Sequence, residues 1–463
     1  MSVIIGALGS VIGYLGAEAS TESFFERLLW PQRFYNDADL YVLIRLALFL
    51  PMSGPLHGAA LESLDTFRNN GLYLGMRRGD MLGTTFYHDI GAKYYHLTGK
   101  NTDQRDNAKD SRNGFWVQVL REVACRNRDV HLAVQDPEDP AMDQIPPYRA
   151  MQLVHHLKLR YARNADHAGQ GSVEIAEASV TWRTVLGTVL SELSSIVIAI
   201  TAAAAKPFKT YWLAGYMLVP LALKLVALFT CVRRYSILDD QEAGGHQGFE
   251  DELYESDDPT HGFAIIQGPP RAVLQFFRHY GHPVRDSGAA GRRDRMREVL
   301  SMALIYLFML YFPAGLISSL WMPNNTQFLW LSFQVYTIVT MHAVRIVGWD
   351  NCGRTEARVA RHLERNEQVW LRRPDGLGII ASLETKDFPN VASAKREVDV
   401  IIQGHFRHHD MDDTNNVAQG TQGIERRVEG LKKSEAKQAF KKGQEEEGAK
   451  EQEVRRGLDD SGS

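Results

Sequence analysis

Two ionisable side chains stand inside otherwise apolar stretches of this 463-residue chain: Glu192 in "TVLSELSSIVIAITAAAA" and Lys224 in "GYMLVPLALKLVALF". A carboxylate and an ammonium in such surroundings admit three kinds of chemistry. They can neutralise one another as a structural pair. The acid can stay protonated while the lysine reaches toward water, or both can belong to an ion or proton path. Spacing favours the first. The two stretches are joined by "KPFKT", and each residue lies 16 positions from Phe208 at its centre. In an antiparallel hairpin rising about 1.5 Å per residue, equal counts mean equal depth. An unpaired Asp, Lys or Arg at the centre of a membrane helix costs about 2.5–3.5 kcal/mol, and each Leu, Ile or Val returns only about 0.3–0.6 kcal/mol. Pairing Glu192 with Lys224 is therefore the least costly arrangement.

The neighbours agree with it. Thr184, Thr188, Ser191, Ser195, Ala199 and Ala202 recur at helical spacing, a stripe of small and hydroxylated side chains that lets membrane helices approach closely. Pro220, one turn before Lys224, frees the carbonyl of Tyr216 and kinks its helix. A weaker polar set follows later in the chain: Gln334 and Thr337 share one helix face, and His342 and Tyr306 are equidistant from the centre of a second turn. A His–Tyr hydrogen bond and ordinary helix packing both account for these residues.

Catalytic motifs are missing. The sequence has no Gly-rich phosphate loop, no H-E-x-x-H and no G-x-S-x-G. "HFRHHDMDD", His405 to Asp413, carries metal-friendly residues at the start of a charged tail, and "FYHDIGAKYYHLTG" offers His88, Asp89 and His96 with no nucleophile at fixed spacing. These read as surface or core histidines, so no cofactor and no metal is expected, and nothing argues for an enzyme. Cys125, Cys231 and Cys352 are far apart and form no C-x-x-C pair, as in a protein with reduced thiols.

The elements that must position the charges are long apolar blocks. Thr184–Ala205, Tyr211–Val232, Val299–Leu320 and Gln327–Val347 each approach the roughly 20 residues needed to cross a bilayer. "KPFKT" and "WMPNNT" join them in pairs, which predicts two antiparallel helical hairpins. Aromatic residues gather at their ends (Tyr211, Trp212, Trp321, Trp330 and Trp349), as interfacial anchors do. Arg292, Arg293, Arg295 and Arg297 precede the third block; Arg354, Arg358, Arg361 and Arg365 follow the fourth; the turn between is uncharged. Positive loops remain cytosolic, so both hairpins are expected to enter and leave from the cytosol. The eight arginines are candidate contacts for anionic lipid headgroups, and the last four fall on one face of an amphipathic helix predicted over "GRTEARVARHLERNEQVWLRR".

The expected fold class is mainly α: a polytopic membrane protein with two transmembrane hairpins plus cytosolic mixed and helical segments. Residues 1–56 form an apolar anchor region. In it, "SVIIGALGSVIGYLG" reads as an uncleaved span or interfacial anchor, and Leu40 to Pro51 as an interfacial or buried helix. A mixed domain occupies 57–178, with helical spacing in "WVQVLREVA" and "AMQLVHHLKLRYARN". The first hairpin spans 179–232. The loop 233–297 divides into nine acidic residues between Asp239 and Asp258, read as a solvated linker, and seven arginines between Arg271 and Arg297. Within it, "FAIIQGPPRAVLQFFRHYGHP" predicts a strand and then a helix begun by proline. The second hairpin takes 298–348, a basic helix and small subdomain 349–409, and a charged, disordered tail 410–463.

The totals, 44% apolar, 23% charged and net charge -4, give no sign of a nucleic-acid binder. Through "YWLAGYMLVPLALKLVALFTCVRR", "QFFRHYGHPVRD" and "RDRMREVL" the chain resembles uncharacterised multi-pass membrane proteins of filamentous fungi. No activity is attached to them, so the resemblance implies membrane residence alone. The expected function is a membrane scaffold or adaptor whose cytosolic regions bind a protein partner or anionic lipid. The alternative is an oligomeric ion or solute transporter that uses Glu192 and Lys224.

Overall fold

The structure is a computed structural model and describes residues 2–36, 38–67, 92–98, 106–111, 113–134, 152–163, 171–177, 180–206, 208–238, 251–258, 262–278, 280–284 and 289–407. Residues 1–98 and 105–398 form one compact unit; 399–463 with 99–104 form another, whose described part is the helical stretch 399–407. The chain opens with α1 (Ser2–Ala19), α2 (Ser23–Leu29), α3 (Leu40–Phe49) and α4 (His57–Phe67). It continues with β1 (Lys93–Leu97), β2 (Lys109–Asp110), α5 (Phe115–Val134), β3 (Gln152–Arg163) and β4 (Val173–Ala176). The first apolar hairpin comprises α6 (Trp182–Leu190), α7 (Leu193–Ala204) and α8 (Tyr211–Thr230). Next come β5 (Glu252–Asp258), β6 (Gly262–Gly268) and α9 (Pro270–Arg278), then the long helices α10 (Ala289–Ser319) and α11 (Asn324–Val347). After these stand α12 (Thr355–Glu364), β7 (Val369–Arg372) and β8 (Leu377–Phe388).

All eight strands join one mixed sheet in the order β2-β1-β5-β6-β3-β8-β7-β4. β3 is central, parallel to β6 and antiparallel to β8 over its whole length, from Gln152 opposite Phe388 to Arg163 opposite Leu377. Its residues Leu157 and Leu159 are buried while Lys158 and Arg160 are exposed, the period-2 alternation of a half-covered strand. Helices α5, α9 and α12 cover one face. Trp116, Val119 and Val123 of α5, Val273 and Phe276 of α9, and Val359 and Leu363 of α12 share a core with Leu157, Ile266, Ile379 and Ala381.

Several expectations change here. Within "AMQLVHHLKLRYARN", Gln152–Arg163 is strand β3 rather than a helix: Met151, Val154, Leu157 and Tyr161 fit a helical stripe in sequence, but the full-length antiparallel pairing with β8 selects the strand. The acidic half of the middle loop is not all linker, because Glu252–Asp258 is β5, paired on both sides; residues 239–250 lie outside the described residues. The amphipathic helix stops at Glu364, and Trp370 lies in β7. Mainly α understates the fold, since segments 57–178, 233–297 and 349–409 all give strands to one sheet. "WVQVLREVA" lies in α5, and "FAIIQGPPRAVLQFFR" forms β6 and α9. The tail 410–463, His88 and Asp89 lie outside the described residues.

Among the described residues two helices are long and apolar enough to cross a membrane, α8 and the part of α10 from Gly291 to Ser319. The pair α6–α7 passes the same test together but is bent by 56°. α11, which carries Gln327, Gln334 and His342, is not in that set. Between α8 and α10 the rings of Tyr216 and Tyr311 stack at 4.3 Å with 7° between their planes. Each hydroxyl donates to the other's backbone carbonyl, Tyr216 to Tyr311 at 2.6 Å and Tyr311 to Tyr216 at 3.2 Å. The second bond takes up the carbonyl that Pro220 leaves without a helical donor. Thr210 and Thr326 join the two hairpin turns through their hydroxyls at 3.1 Å. α1 bridges the second hairpin: its glycines lie against α10 and α11, and a Cβ at Gly13 would stand 2.6 Å from the Phe312 ring. Small residues thus let three backbones come together.

Candidate functional site

The first apolar block is interrupted at Ser191 and Glu192, which fall between α6 and α7. Local chemistry accounts for the bend. Thr188 Oγ1 donates to the Thr184 carbonyl and Ser191 Oγ to the Thr188 carbonyl, at 2.8 and 2.7 Å, the back-bonding that loosens and bends helices. Glu192 then takes the N-cap position of α7 with φ −112° and ψ 20°. Its carboxylate sits at the positive end of α7, and Ser191 closes the negative end of α6.

Lys224 of α8 meets this break. Its Nζ lies 2.6 Å from Glu192 Oε1 and donates to Ser191 Oγ at 2.8 Å. The ammonium therefore stands at the carboxyl end of one helix and the carboxylate at the amino end of the next, each on the side that the helix dipoles favour. Both side chains are buried, at 5% and 0% exposure. Glu192 Oε1 also accepts from the Met52 backbone N–H at 2.8 Å, and Oε2 from Ser195 Oγ at 2.7 Å. Each carboxylate oxygen thus has a protein donor besides the lysine, the condition under which a buried pair is tolerated. The small-residue stripe Thr184, Thr188, Ser191, Ser195, Ala199 and Ala202 is buried throughout.

The third side of the site comes from "PMSGP", residues 51–55, a buried non-helical link between α3 and α4. Its backbone groups, lacking helical partners, need others in an apolar setting, and the site supplies them. Glu192 takes the Met52 N–H, Gln334 Nε2 donates to the Ser53 carbonyl at 3.3 Å, and Ser195 Oγ lies 3.0 Å from Ser53 Oγ. The role of this link has a visible signal in the sequence, two prolines flanking Ser-Gly at the end of an apolar run. Gln334 and Thr337 are both fully buried, and Gly54 packs against Thr337. Tyr306 is instead 47% exposed, and the structure draws no bond between it and His342.

The arginine candidates divide. Arg292, Arg293 and Arg295 are exposed on the first turns of α10, with Arg295 paired to Glu298 at 2.9 Å; Arg297 lies 3.8 Å from Asp294. Those after α11 belong to a docked helix. Arg354 pairs with Glu26 of α2, Arg358 and Arg361 are half-buried, and Arg365 is exposed. The face of α12 that bears Val359 and Leu363 is committed to the sheet core. Nearby, Arg33 grips Glu356 at 2.6 Å with both side chains 2% exposed. Burial pushes the Glu356 carboxyl up, but the Arg33 and Arg354 guanidinium groups outweigh it and hold it below its ordinary range.

Among the described residues no group of three His, Cys, Asp or Glu side chains is arranged to hold a metal ion. His96 lies 3.2 Å from Glu252 and 3.5 Å from Asp106, beside the ring of Tyr254. Cys231 and Cys352 are free thiols. Comparison of the chain with protein-family models, with curated proteins and with solved structures found no match.

Proposed function

We propose that the protein is a multi-pass membrane scaffold that holds an eight-stranded platform against one face of a bilayer. The observation that carries this reading is the sheet itself. Its strands come from before the first apolar hairpin, from between the hairpins, and from after the second. Strands bonded edge to edge share one compartment, so if α8 and α10 cross, the bent α6–α7 pair and α11 must return the chain. The contact between Thr210 and Thr326 supports the same arrangement, with both turns together at the far side. Large apolar side chains such as Val197, Ile200, Phe229, Leu310, Val339 and Ile346 are exposed along these helices, a greasy belt that water would not tolerate but lipid would. The arginine asymmetry supports a cytosolic platform, open to a protein partner or an anionic leaflet.

The Glu192–Lys224 pair acts as a clamp in this reading, since its charges are consumed by each other and by protein donors. The break at Glu192 favours one rival, a permeation site, because interrupted helices line substrate paths in transporters. Mutation separates the two. Glu192→Gln and Lys224→Met alone should each cost about 3–5 kcal/mol by leaving a charge unpaired, and the double variant should recover most of that in detergent unfolding. Reconstituted parent protein should carry no proton- or ion-dependent flux. A flux in the parent that disappears in a folded double variant would replace the scaffold with a transporter.

A further inference from the structure

Helix α3 is apolar on the side it shows as well as on the side it buries. Val42, Leu46 and Ala47 are buried, whereas Leu40, Tyr41, Ile44 and Leu48 are 73, 61, 49 and 45% exposed. At helical spacing these four fall within one arc of about 100°, and no charged side chain stands inside it. The helix has ten residues, a length of about 15 Å, which is half a hydrocarbon core and too short to cross. Its level is set by its neighbours. Trp349 follows α11 directly, at the sheet-side end of that helix. The Phe49 ring packs edge-on against Trp349 at 5.1 Å, and the Tyr336 hydroxyl of α11 donates to the Leu48 carbonyl.

Arg45 flanks the arc. Its guanidinium lies over two rings, 3.9 Å from the centroid of Tyr41 and 4.4 Å from that of Trp349, and donates to the Tyr41 hydroxyl at the surface. These are its partners, and no carboxylate of the described residues pairs with it. The acids next to its two rings are engaged elsewhere: Asp39 caps the Val42 N–H at 2.7 Å, and Asp350 accepts from Thr21 at 3.4 Å. Two rings thus hold the cation in place and supply no counter-charge. A guanidinium presents a planar fork of donors that matches phosphate oxygens two at a time. An apolar arc bordered by such a fork, with Tyr41 and Trp349 beside it, has the make-up of a helix lying in a phospholipid surface. α3 also packs against α11, whose exposed Val339 and Ile346 belong to the apolar belt assigned to lipid above.

We infer that α3 lies in the sheet-side leaflet, with Leu40, Ile44 and Leu48 among the acyl chains and Arg45 holding the phosphate of a phospholipid. The inference rests on the membrane reading above, since the leaflet is the one that the hairpins cross. The phosphate is common to zwitterionic and anionic phospholipids, so Arg45 selects for a phosphate and not for a headgroup. Soluble phosphodiesters carry the same group without chains to cover the arc.

Two measurements test it on the full chain. In a background lacking the native cysteines, a fluorophore is placed on a single cysteine at Ile44, at Val339 of the belt or at Lys386 of the sheet, and the protein is reconstituted in phosphatidylcholine vesicles. A nitroxide carried on the lipid chains should quench the probes at Ile44 and Val339, and iodide on both sides should quench the one at Lys386. A probe at Ile44 reached by iodide alone, or shielded from both quenchers as under a second protein, would overturn the proposal. If Val339 were still quenched from the lipid, the membrane reading would stand; if Val339 too escaped the nitroxide, that reading would fall as well. In neutral detergent, calorimetric titration then compares dioctanoyl phosphatidylcholine with dioctanoylglycerol, which lacks the phosphate, and with glycerophosphocholine, which lacks the chains. Phosphatidylcholine should bind about fivefold or more tightly than either. Arg45→Gln should remove its advantage over dioctanoylglycerol, and Arg45→Lys, which keeps the cation, should retain part of it. An advantage that survives Arg45→Gln, an equal loss for both lipids, or glycerophosphocholine binding as well as the lipid would overturn the phosphate contact.

Discussion

Glu177 shows how a single buried acid can write a pH dependence into the protein. Burial pushes its carboxyl from the ordinary 4.5 to about 7, against the opposing pull of the Ile237 N–H and Arg373; Asp375 nearby adds to the rise. The folded chain therefore keeps this proton up to about pH 7, whereas the unfolded chain releases it near 4.5. Between those values the folded state binds more protons, so stability falls as pH rises. The full cost above pH 7 is about 3 kcal/mol. Glu177→Gln keeps an acceptor for Ile237 and carries no charge. It should be more stable than the parent by up to about 3 kcal/mol at pH 8, with the gap closing toward pH 4.5. Denaturation followed across that range measures it, and a gap independent of pH would contradict this account. The sequence does not reveal Glu177, which sits in an unremarked "VEIAEAS" and acquires its surroundings from residues far along the chain. Glu192 and Lys224 are different. Both were visible as lone charges in apolar blocks, and their common distance from Phe208 matches the 2.6 Å contact of the structure.

At the scale of elements, the apolar helices lock together through backbone groups that irregularities set free. The reciprocal Tyr216–Tyr311 bonds depend on Gly315, where a Cβ would collide with the Tyr216 hydroxyl. Gly315→Ala should therefore cost about 1–3 kcal/mol by forcing the stacked rings apart. Tyr216→Phe in the same background should restore part of the loss, because the clash is with the hydroxyl oxygen. Thermal unfolding of the single and double variants in detergent would show it; strictly additive losses would mean the glycine serves another purpose. The Tyr216 carbonyl was legible from Pro220, but the partner that satisfies it was not. β3 teaches the converse. Its residues satisfy a helical stripe and an alternating one at once, and only the long antiparallel match with β8 chooses between them. Such a partner, more than 200 residues away, leaves no trace in a local window. The helix break at Ser191 was hidden for a related reason, since serine and threonine looked like a packing stripe when they are also back-bonding the helix.

For the molecule as a whole, the proposed scaffold requires the hairpin turns and the sheet to lie on opposite sides of a bilayer. Single cysteines placed at Lys206 and Asn325 in the turns should react with a membrane-impermeant thiol reagent from one side of sealed vesicles. Cysteines at Lys109 and Lys386 in the sheet should react from the other, in a background lacking the three native cysteines. Turn and sheet positions labelled from the same side would remove both hairpins from the membrane. The apolar helices were readable because apolar length is a local property, although α11 is not among those long and apolar enough to cross a membrane. The sheet was not, because each of its contributing segments looks like a modest soluble fragment by itself. One buried and one half-buried ion pair tie the two regions: Arg33, just after α2, holds Glu356 of α12, and Glu26 of α2 holds Arg354.

The interleaved sheet also fixes an order of events during synthesis. β3 is made before either hairpin, yet its neighbour β6 arrives only after the first and β8 only after the second. Both edges of the central strand stay bare until β6 is made, and one stays bare until β8 is, the situation most prone to mispairing. A nascent chain stalled after α11 would hold six of the eight strands and still lack β7 and β8. The last strands to emerge, β7 and β8, thus close the sheet by joining β4, made before either hairpin, to the central β3.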